Sequence, residues 1–332
     1  MTVRIGVIGT GAIGRDHIDR VTRRIRGASV TAVTDLDRAL AEKSAGEAKV
    51  YPDGAALIAS PEVDAVLVAC SDAAHAEHVL TAIAAGKPVL CEKPLAVTPE
   101  DCLRIMAAEE SHGSRLVQVG FMRRYDAGYR EMHRVISAGD IGRPLLMHCA
   151  HRNRASRPDY TTEMAVLSSG VHEIDAARWL LSDEIVSTQV INPRSTRHRL
   201  PHLTDPQFML FETASGIRID LEVFVNCRYG YDIRCETVGE EGLLRLPDPA
   251  RPELRASARI GTAIDQEWDD RFSAAFDAEL QAWVDSVPTG RATGPSSWDG
   301  YAATAVATAT VRAQQSGDVE QVNMRERPAF YA

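Results

Sequence analysis

The chain has 332 residues, a formal net charge of −9 at pH 7, and a composition that is 45% hydrophobic and 25% charged. Its length favours two domains, because single hydrophobic cores rarely grow so large. The acidic balance argues against nucleic acid and anionic membranes as main partners. The chain begins in a predicted strand rather than a signal peptide, and no apolar run is long enough to span a membrane. The 6 cysteines are scattered without a CxxC pair, which indicates reduced thiols in a cytoplasmic protein.

The first forty residues carry the most specific pattern. Residues 3–9 predict a buried strand, residues 12–26 predict a helix, and a GxGxxG sequence joins them. Its first glycine allows a tight turn, its second lets the backbone approach a pyrophosphate, and its third lets helix and strand pack closely. The helix N-terminus offers free N–H groups to the anion. The residues that this pattern assigns to the phosphates are Gly9, Gly11, Ala12, Ile13 and Gly14.

The second predicted strand, residues 29–35, ends in an acid that selects the cofactor. Asp35 stands where dinucleotide-binding folds place an acid that accepts hydrogen bonds from the ribose hydroxyls. A carboxylate there repels the 2′-phosphate of NADP, and Asp37 adds to that repulsion. Arg38 is the one nearby base that could favour NADP. We therefore predict NAD.

Strands and helices alternate up to about residue 120. The predicted strands are 3–9, 29–35, 64–70, 87–91 and 115–120, and the predicted helices are 12–26, 37–46, 53–59, 73–85 and 98–112. This alternation predicts a doubly wound parallel sheet of the Rossmann type, an α/β fold. The apolar runs VLVA and PVL are continuous, as expected of strands buried on both faces. We assign residues 1–120 to this NAD-binding domain.

After residue 120 the strands follow one another more closely. The predicted elements are a helix at 125–138, a strand at 144–151, a helix at 169–181, strands at 184–191, 207–213, 216–226, 232–238 and 242–246, and helices at 270–286 and 297–315. This order predicts an α+β domain, residues 121–332, with a large, mostly antiparallel open sheet. Residues 245–256 are its most loop-like segment.

A Glu-Lys-Pro sequence directly after strand 87–91 is the first candidate for chemistry. In an open parallel sheet, ligands bind beyond the carboxyl ends of the strands, which places Lys93 near the nicotinamide end of a dinucleotide. Pro94 restricts the backbone of Lys93 and thereby the direction of its side chain. An ordinary exposed lysine is the alternative, and the position relative to the cofactor favours a functional one.

The predicted helix 169–181 is the second candidate. Ser168, His172, Asp175 and Trp179 recur at spacings of three and four, which puts them on one helical face. The pattern fits two interpretations equally well. One is a functional His–Asp face, and the other is a packing histidine beside a solvated aspartate.

The other histidine pairs predict no metal site. His75 and His78 lie three apart on a helix without a third ligand nearby. His148 and His151 face opposite sides of a strand, which leaves His151 on the same face as Asn153.

These segments resemble the Gfo/Idh/MocA oxidoreductase family, and within it the inositol dehydrogenase branch, along the whole chain. The matching segments are RIGVIGTGAIGRDHI (4–18), DAVLV (64–68), CEKPLA (91–96), RLVQVGFMRRYDAGY (115–129), HCAHRN (148–153), VHEID (171–175), VNCRYGYDIRCE (225–236) and GPSSWDGY (294–301). GTGAIG and EKP are shared across the family. HCAHRN, YGYDIRCE and FMRRYD are typical of the inositol branch.

The resemblance implies an NAD-dependent dehydrogenase that oxidises a secondary hydroxyl of a cyclic polyol, first of all myo-inositol to 2-keto-myo-inositol (scyllo-inosose). It implies that His172 takes the hydroxyl proton as general base and that Lys93 hydrogen-bonds the reacting oxygen. The implied substrate contacts are Arg123, His151, Asn153, Asp175 and Tyr231. The implied cofactor contacts, beside the glycine motif, are Asp35, Ser71, His75, Glu92 and Lys93. A homotetramer formed through the open face of the second sheet is also implied.

The sequence departs from the inositol branch at Ser168, where the branch carries an aspartate four residues before the histidine. That aspartate would orient the imidazole and stabilise the imidazolium, whereas serine can hydrogen-bond but carries no charge. Three interpretations stay open: a slower inositol dehydrogenase, a dehydrogenase of another inositol isomer or sugar whose pocket Ser168 reshapes, and an enzyme in which Asp175 takes over part of the role.

The wider family suggests two functions of other classes. One is cleavage of a glycosidic bond through transient oxidation, with NAD regenerated. The other is a regulator that binds the cofactor without catalysis, which loss of the catalytic lysine or histidine would favour. Both of these residues are present, as Lys93 and His172.

Overall fold

The computed structural model describes residues 2–332, which divide into two compact units. The first unit holds the chain up to Met122 together with residues 276–305 and 324–332. The second unit holds residues 123–275 and 306–323. Across residues 2–332, no helix combines the length and apolarity that crossing a lipid bilayer requires.

The first unit is built on a parallel sheet. Its strands are β1 (Val3–Ile8), β2 (Ala28–Thr34), β3 (Lys49–Val50), β4 (Ala65–Val68), β5 (Val89–Cys91) and β6 (Val117–Val119). Its helices up to Met122 are α1 (Ala12–Arg23), α2 (Arg38–Ala45), α3 (Gly54–Ala59), α4 (His75–Ala84) and α5 (Pro99–His112). In the strand order β3-β2-β1-β4-β5-β6, strands β1 to β3 are added toward one side of the sheet and strands β4 to β6 toward the other. Doubly wound folds bind their ligands at this switch between β1 and β4. The predicted Rossmann sheet is therefore confirmed.

The hydrophobic core of the first unit includes residues from late in the chain. Leu280 and Trp283, both fully buried, pack in one cluster with the apolar side chains of β1 and β4. The backbone N–H of Val119, on β6, donates to the carbonyl of Pro295 at 2.8 Å. These contacts place residues 276–305 in the first unit. The sequence did not predict this, because a helix pattern does not tell which sheet an apolar face will cover.

The second unit is built on a mixed sheet. Its elements are α6 (Ala127–Ala138), β7 (Pro144–Arg152), α7 (Val171–Leu181), β8 (Ile185–Ile191), β9 (Gln207–Thr213), β10 (Arg218–Phe224), β11 (Asp232–Gly239), β12 (Leu243–Arg245), β13 (Glu253–Ala256), β14 (Arg259–Thr262) and β15 (Glu320–Gln321). The sheet order is β12-β11-β7-β10-β9-β8-β15, antiparallel except where β7 and β10 run parallel. The predicted mostly antiparallel sheet is confirmed. Helices α8 (Trp268–Ser286) and α9 (Ser297–Ser316) contribute residues to both units.

Two local features of the second unit differ from the prediction. A π-helical stretch, Ala165–Gly170, precedes α7, where a regular helix was expected from residue 169. The segment 245–256 is not loop throughout, because β13 forms a hairpin with β14. All residues of both strands are exposed, so this hairpin has no buried face.

Candidate active site

The glycine motif forms the turn that joins β1 to α1. Gly9 has a φ of +94°, which L side chains rarely adopt. A Cβ on Gly14 would lie 2.1 Å from the carbonyl oxygen of Gly9, so only hydrogen fits there. At Gly11, the N-cap of α1, a Cβ would meet no atom within 4 Å. The first and third glycines therefore serve the fold itself. The second leaves open space at a helix N-terminus, where negative charge is favoured.

Asp35 follows β2, and the backbone holds its carboxylate. Oδ2 accepts a hydrogen bond from the N–H of Thr10 at 2.6 Å, and Oδ1 accepts one from the N–H of Asp37 at 2.9 Å. Partial burial acts to raise the pKa of Asp35, yet these hydrogen bonds hold it below its ordinary value. The group is therefore a charged acceptor at neutral pH, as recognition of a ribose diol requires. The carboxylate of Asp37 caps α2 through the N–H groups of Ala39 and Leu40.

The carboxyl ends of β4 and β5 bring the other predicted cofactor residues to one edge of the sheet. Val68 and Cys91 end the two strands and are paired in register. Ser71 follows β4 after two residues, while Glu92 and Lys93 follow β5 directly. This edge is the ligand-binding edge of a doubly wound sheet.

Two buried histidines organise that edge. His17 Nε2 lies 2.7 Å from Glu92 Oε1, and both residues are buried. Burial acts to raise the pKa of Glu92, while His17 and the charge of Lys93 hold it below its ordinary value. His75 Nδ1 lies 2.7 Å from the carbonyl oxygen of Pro94 and must donate, because a carbonyl only accepts. Its buried Nε2 has no partner in the part of the chain that the structure describes.

The residues of this edge fit NAD. The open space at Gly11 suits a phosphate, the charged Asp35 suits a ribose, and the unpaired Nε2 of His75 remains available to a ligand. The sequence interpretation missed His17, because its contact with Glu92 joins positions 75 residues apart.

In the second unit, α7 is buried along most of its length although it carries charged side chains. Its ion pairs are Glu173 with Arg123, Asp175 with Arg124, and Arg178 with Glu184. Burying an unpaired charge costs several kcal/mol of desolvation free energy, so each of these carboxylate and guanidinium groups requires its partner. Arg124 and Glu173 lie within the matching segments FMRRYD and VHEID, but the sequence interpretation gave neither residue a role.

Two of these groups, Arg123 and Glu173, form a buried polar cluster with His151. Arg123 Nη1 donates to Glu173 Oε1, and Arg123 Nη2 lies 3.1 Å from His151 Nδ1. Both carboxylate oxygens of Glu173 lie 3.1 Å from the same Nδ1. Burial acts to raise the pKa of Glu173, but the charge of Arg123 and the hydrogen bond with His151 hold it below its ordinary value. Glu173 is therefore ionised and bound by both neighbours.

Two further predicted site residues, Tyr231 and His172, lie beside the ring of His151. The ring of Tyr231 meets it edge-on, with centroids 5.8 Å apart, and that of His172 lies 6.4 Å away. Burial raises the pKa of Tyr231 to about 12, so its hydroxyl stays protonated as a hydrogen-bond donor. Asn153, just beyond β7, has a buried side-chain oxygen without a partner among residues 2–332. The structure thus gathers Arg123, His151, Tyr231 and His172.

The predicted face of α7 is only partly assembled. Ser168 lies in the π-helical stretch, where hydrogen bonds join residues five apart, so its four-residue spacing to His172 spans a change of helix type. Asp175 is engaged by Arg124. Trp179 stacks on His133 with centroids 4.4 Å apart. Within residues 2–332, no three His, Cys, Asp or Glu side chains are grouped as metal ligands.

Two consecutive segments of the chain match models of one protein family. Residues 3–121 match the oxidoreductase family Gfo/Idh/MocA as its NAD-binding Rossmann fold, and residues 133–324 match its C-terminal alpha/beta domain. Inositol 2-dehydrogenase 3 of Saccharopolyspora erythraea is 61% identical, over 100% of this chain and 98% of its own. Inositol 2-dehydrogenase of Ralstonia nicotianae is 57% identical, over 100% and 99%.

The chain is also similar to solved structures of inositol dehydrogenases. The myo-inositol dehydrogenase of Lactobacillus casei, crystallised with NAD(H) and myo-inositol, has a TM-score of 0.98 at 41% identity over 100% of both chains. The scyllo-inositol dehydrogenase of the same organism, with NAD(H) and scyllo-inositol, has a TM-score of 0.89 at 25% identity over 97% of this chain and 99% of its own.

Proposed function

This chain belongs to the Gfo/Idh/MocA oxidoreductase family with its NAD-binding Rossmann fold, and from that premise we propose that it oxidises myo-inositol to 2-keto-myo-inositol. The observation that carries the substrate class is the buried cluster of Arg123, His151 and Glu173 with Tyr231 beside it. A polyol needs such a density of fixed donors and acceptors, because each buried hydroxyl must be paired. The relatives named inositol 2-dehydrogenase support the same substrate.

In this proposal the first unit holds the cofactor. The turn at Gly11 and the N-terminus of α1 bind the pyrophosphate, and Asp35 binds the adenosine ribose. Ser71, His75 and Glu92 lie on the sheet edge that the rest of the dinucleotide would follow. When bound, NAD supplies the acceptor for the hydride that leaves the substrate carbon.

The chain's own residues handle the proton. His172 accepts the proton of the reacting hydroxyl on an imidazole nitrogen, a task that suits neutral imidazole near pH 7. Lys93 donates a hydrogen bond from Nζ to the same oxygen and stabilises the negative charge that develops there. Arg123, His151, Asn153, Asp175 and Tyr231 are the proposed substrate contacts.

A second substrate is favoured by one observation, the serine at position 168 in the π-helical stretch. Ser168 can donate or accept a hydrogen bond but cannot stabilise an imidazolium by charge. Another inositol isomer or a sugar would then be the preferred substrate, with the same roles for Lys93 and His172.

We propose further that the protein is a cytoplasmic homotetramer associated through the open face of the second sheet. On β9, half-buried Phe208 and Leu210 alternate with buried Met209 and Phe211, which leaves apolar side chains on the outer face. Sedimentation equilibrium should give four times the 36.2 kDa of one chain. A mass equal to one chain would exclude the tetramer.

The function is tested by NADH absorbance with purified protein, NAD and, separately, myo-, scyllo- and chiro-inositol and D-glucose. Turnover on myo-inositol supports the proposal, and turnover on another polyol alone supports the second substrate. The Lys93→Gln and His172→Gln variants should lose roughly 10²–10⁴-fold in turnover, the usual worth of acid–base groups. No NADH from any of these substrates would exclude the function.

A further inference from the structure

The ring of His151 has an unusual set of neighbours at Nδ1. Both oxygens of Glu173 and Nη2 of Arg123 lie 3.1 Å from that one nitrogen. All three residues belong to the second unit and are at most 3% exposed, so water does not compete for these contacts.

The chemistry of these neighbours decides which ring nitrogen carries the proton. A carboxylate only accepts hydrogen bonds and a guanidinium only donates them. A lone pair on Nδ1 could accept from the guanidinium but would lie against two carboxylate oxygens with no proton between them, whereas an N–H there donates to the carboxylate and meets only one donor. Glu173 is ionised, since Arg123 compensates its burial. Protonated Nδ1 is therefore favoured, and in the neutral ring Nε2 then carries the lone pair.

From this geometry we propose that Glu173 is a positioning residue, which holds His151 in the Nδ1–H tautomer so that Nε2 accepts a hydrogen bond from a substrate hydroxyl. The substrate contact of His151 rests on the function proposed above. An acceptor at this point requires an O–H group on the ligand, so a deoxy or O-methyl analogue at that carbon loses the bond. Glu173 thus acts on specificity through His151 without touching the substrate.

A purely structural role for Glu173 makes a different prediction. If the carboxylate only neutralised buried Arg123, its loss would lower stability and leave the tautomer of His151 and the preference among substrates unchanged. The experiments must therefore measure the tautomer of His151 and the preference among substrates as well as the stability.

The first experiment reads the tautomer in the unaltered protein. The protein is labelled with ¹⁵N-histidine, and its imidazole nitrogens are recorded by two-dimensional NMR near neutral pH. The chain has 10 histidines, and the His151→Gln variant identifies the resonances that belong to His151. A protonated Nδ1 with an unprotonated Nε2 is expected, and the opposite tautomer overturns the proposal. This result does not depend on activity.

The second experiment uses the Glu173→Gln variant, which keeps the side-chain size and removes the charge. We expect its KM for the polyol to rise about tenfold with kcat changed much less, the pattern of lost uniform binding. Its KM for NAD should not change. Among monodeoxy-inositols, the analogue most strongly rejected by the unaltered protein should be rejected about tenfold less by the variant.

A matched control is Glu184→Gln, which removes the charge of the glutamate that pairs with Arg178 of α7. It should leave the KM and the deoxy-analogue preference as they are. A folded Glu173→Gln protein with unchanged KM and preference overturns the proposal. If this variant does not fold, the tautomer measurement still decides. If no polyol is oxidised, the proposed function fails, and the tautomer still tests the role of Glu173.

Discussion

Arg124 donates hydrogen bonds from Nε and Nη2 to the two carboxylate oxygens of Asp175, which is 1% exposed. The preceding residue, Arg123, binds Glu173 two positions earlier on the same helix. Two adjacent arginines thus secure two carboxylates of α7. The family resemblance assigns Asp175 to the substrate, but the structure gives it a fixed partner first.

Asp175→Asn should therefore act mainly on stability. Breaking a buried pair leaves an uncompensated charge, so the free energy of unfolding should fall by about 3–5 kcal/mol. Urea unfolding followed by circular dichroism measures this change. Glu131→Gln, which removes an exposed pair with Arg134, is the control and should have little effect. A raised KM for the polyol beside this loss is expected from the proposed substrate contact of Asp175, whereas unchanged stability would contradict the prediction.

The glycine motif separates folding from cofactor binding. Gly11→Ala should change the free energy of unfolding by about 1 kcal/mol or less, because its Cβ meets no atom in the protein. It should weaken NAD binding by about tenfold or more, the equivalent of about 1.4 kcal/mol, because the Cβ occupies space needed by the pyrophosphate. Gly14→Ala should fail to fold, since its Cβ would lie 2.1 Å from a carbonyl oxygen. Calorimetric titration with NAD and thermal unfolding measure both effects. Undiminished NAD affinity in Gly11→Ala would contradict the assignment.

The Ser168→Asp variant tests the departure from the inositol branch. If serine weakens a histidine–aspartate pair, the aspartate should raise kcat on myo-inositol roughly 10–100-fold, the worth of a charged hydrogen bond. Ser168→Asn introduces a side chain of the same shape as aspartate but without its charge, and it should give no comparable gain in kcat. The readout is kcat for both variants with myo-inositol and the other polyols. No gain from aspartate would mean that serine suits a different substrate.

Glu109 predicts a pH dependence of stability. It is fully buried, and its Oε1 accepts the N–H groups of Leu116 and Val117 at 2.7 and 2.8 Å. Burial raises its pKa above the ordinary value despite these bonds. Because the folded state then holds the proton more tightly than the unfolded state, the contribution of Glu109 to stability falls as pH rises above about 4.

Glu109→Gln should remove that slope. Its free energy of unfolding relative to the unaltered protein should increase as pH rises, until the folded-state pKa of Glu109 is passed. Urea unfolding between about pH 5 and about pH 8 gives the difference. Glu92 and Glu173 have lowered pKa values, so their contribution is present above the ordinary glutamate pKa and is lost only on further acidification. A difference that does not vary with pH would show that Glu109 ionises in the folded protein as it does unfolded.

Much of the fold was predictable because its signals are local. The glycine motif, the acid at Asp35 and the alternation of strands and helices each lie within a short window, and the doubly wound sheet, the NAD-binding Rossmann fold and the family are confirmed. Hydrophobic periodicity reports which face of an element is buried, and glycine reports where the backbone needs freedom. These are properties that neighbouring residues carry by themselves.

The sequence by itself therefore determined the fold class, the cofactor and the family. Only the tertiary structure decided that residues 276–305 join the first unit and that Glu173 binds both Arg123 and His151. Arg123 and Glu173 are 50 positions apart, and nothing near either residue marks the other as its partner. Their pairing depends on how α7 packs on the sheet, and that packing follows from burying apolar surface across the whole unit.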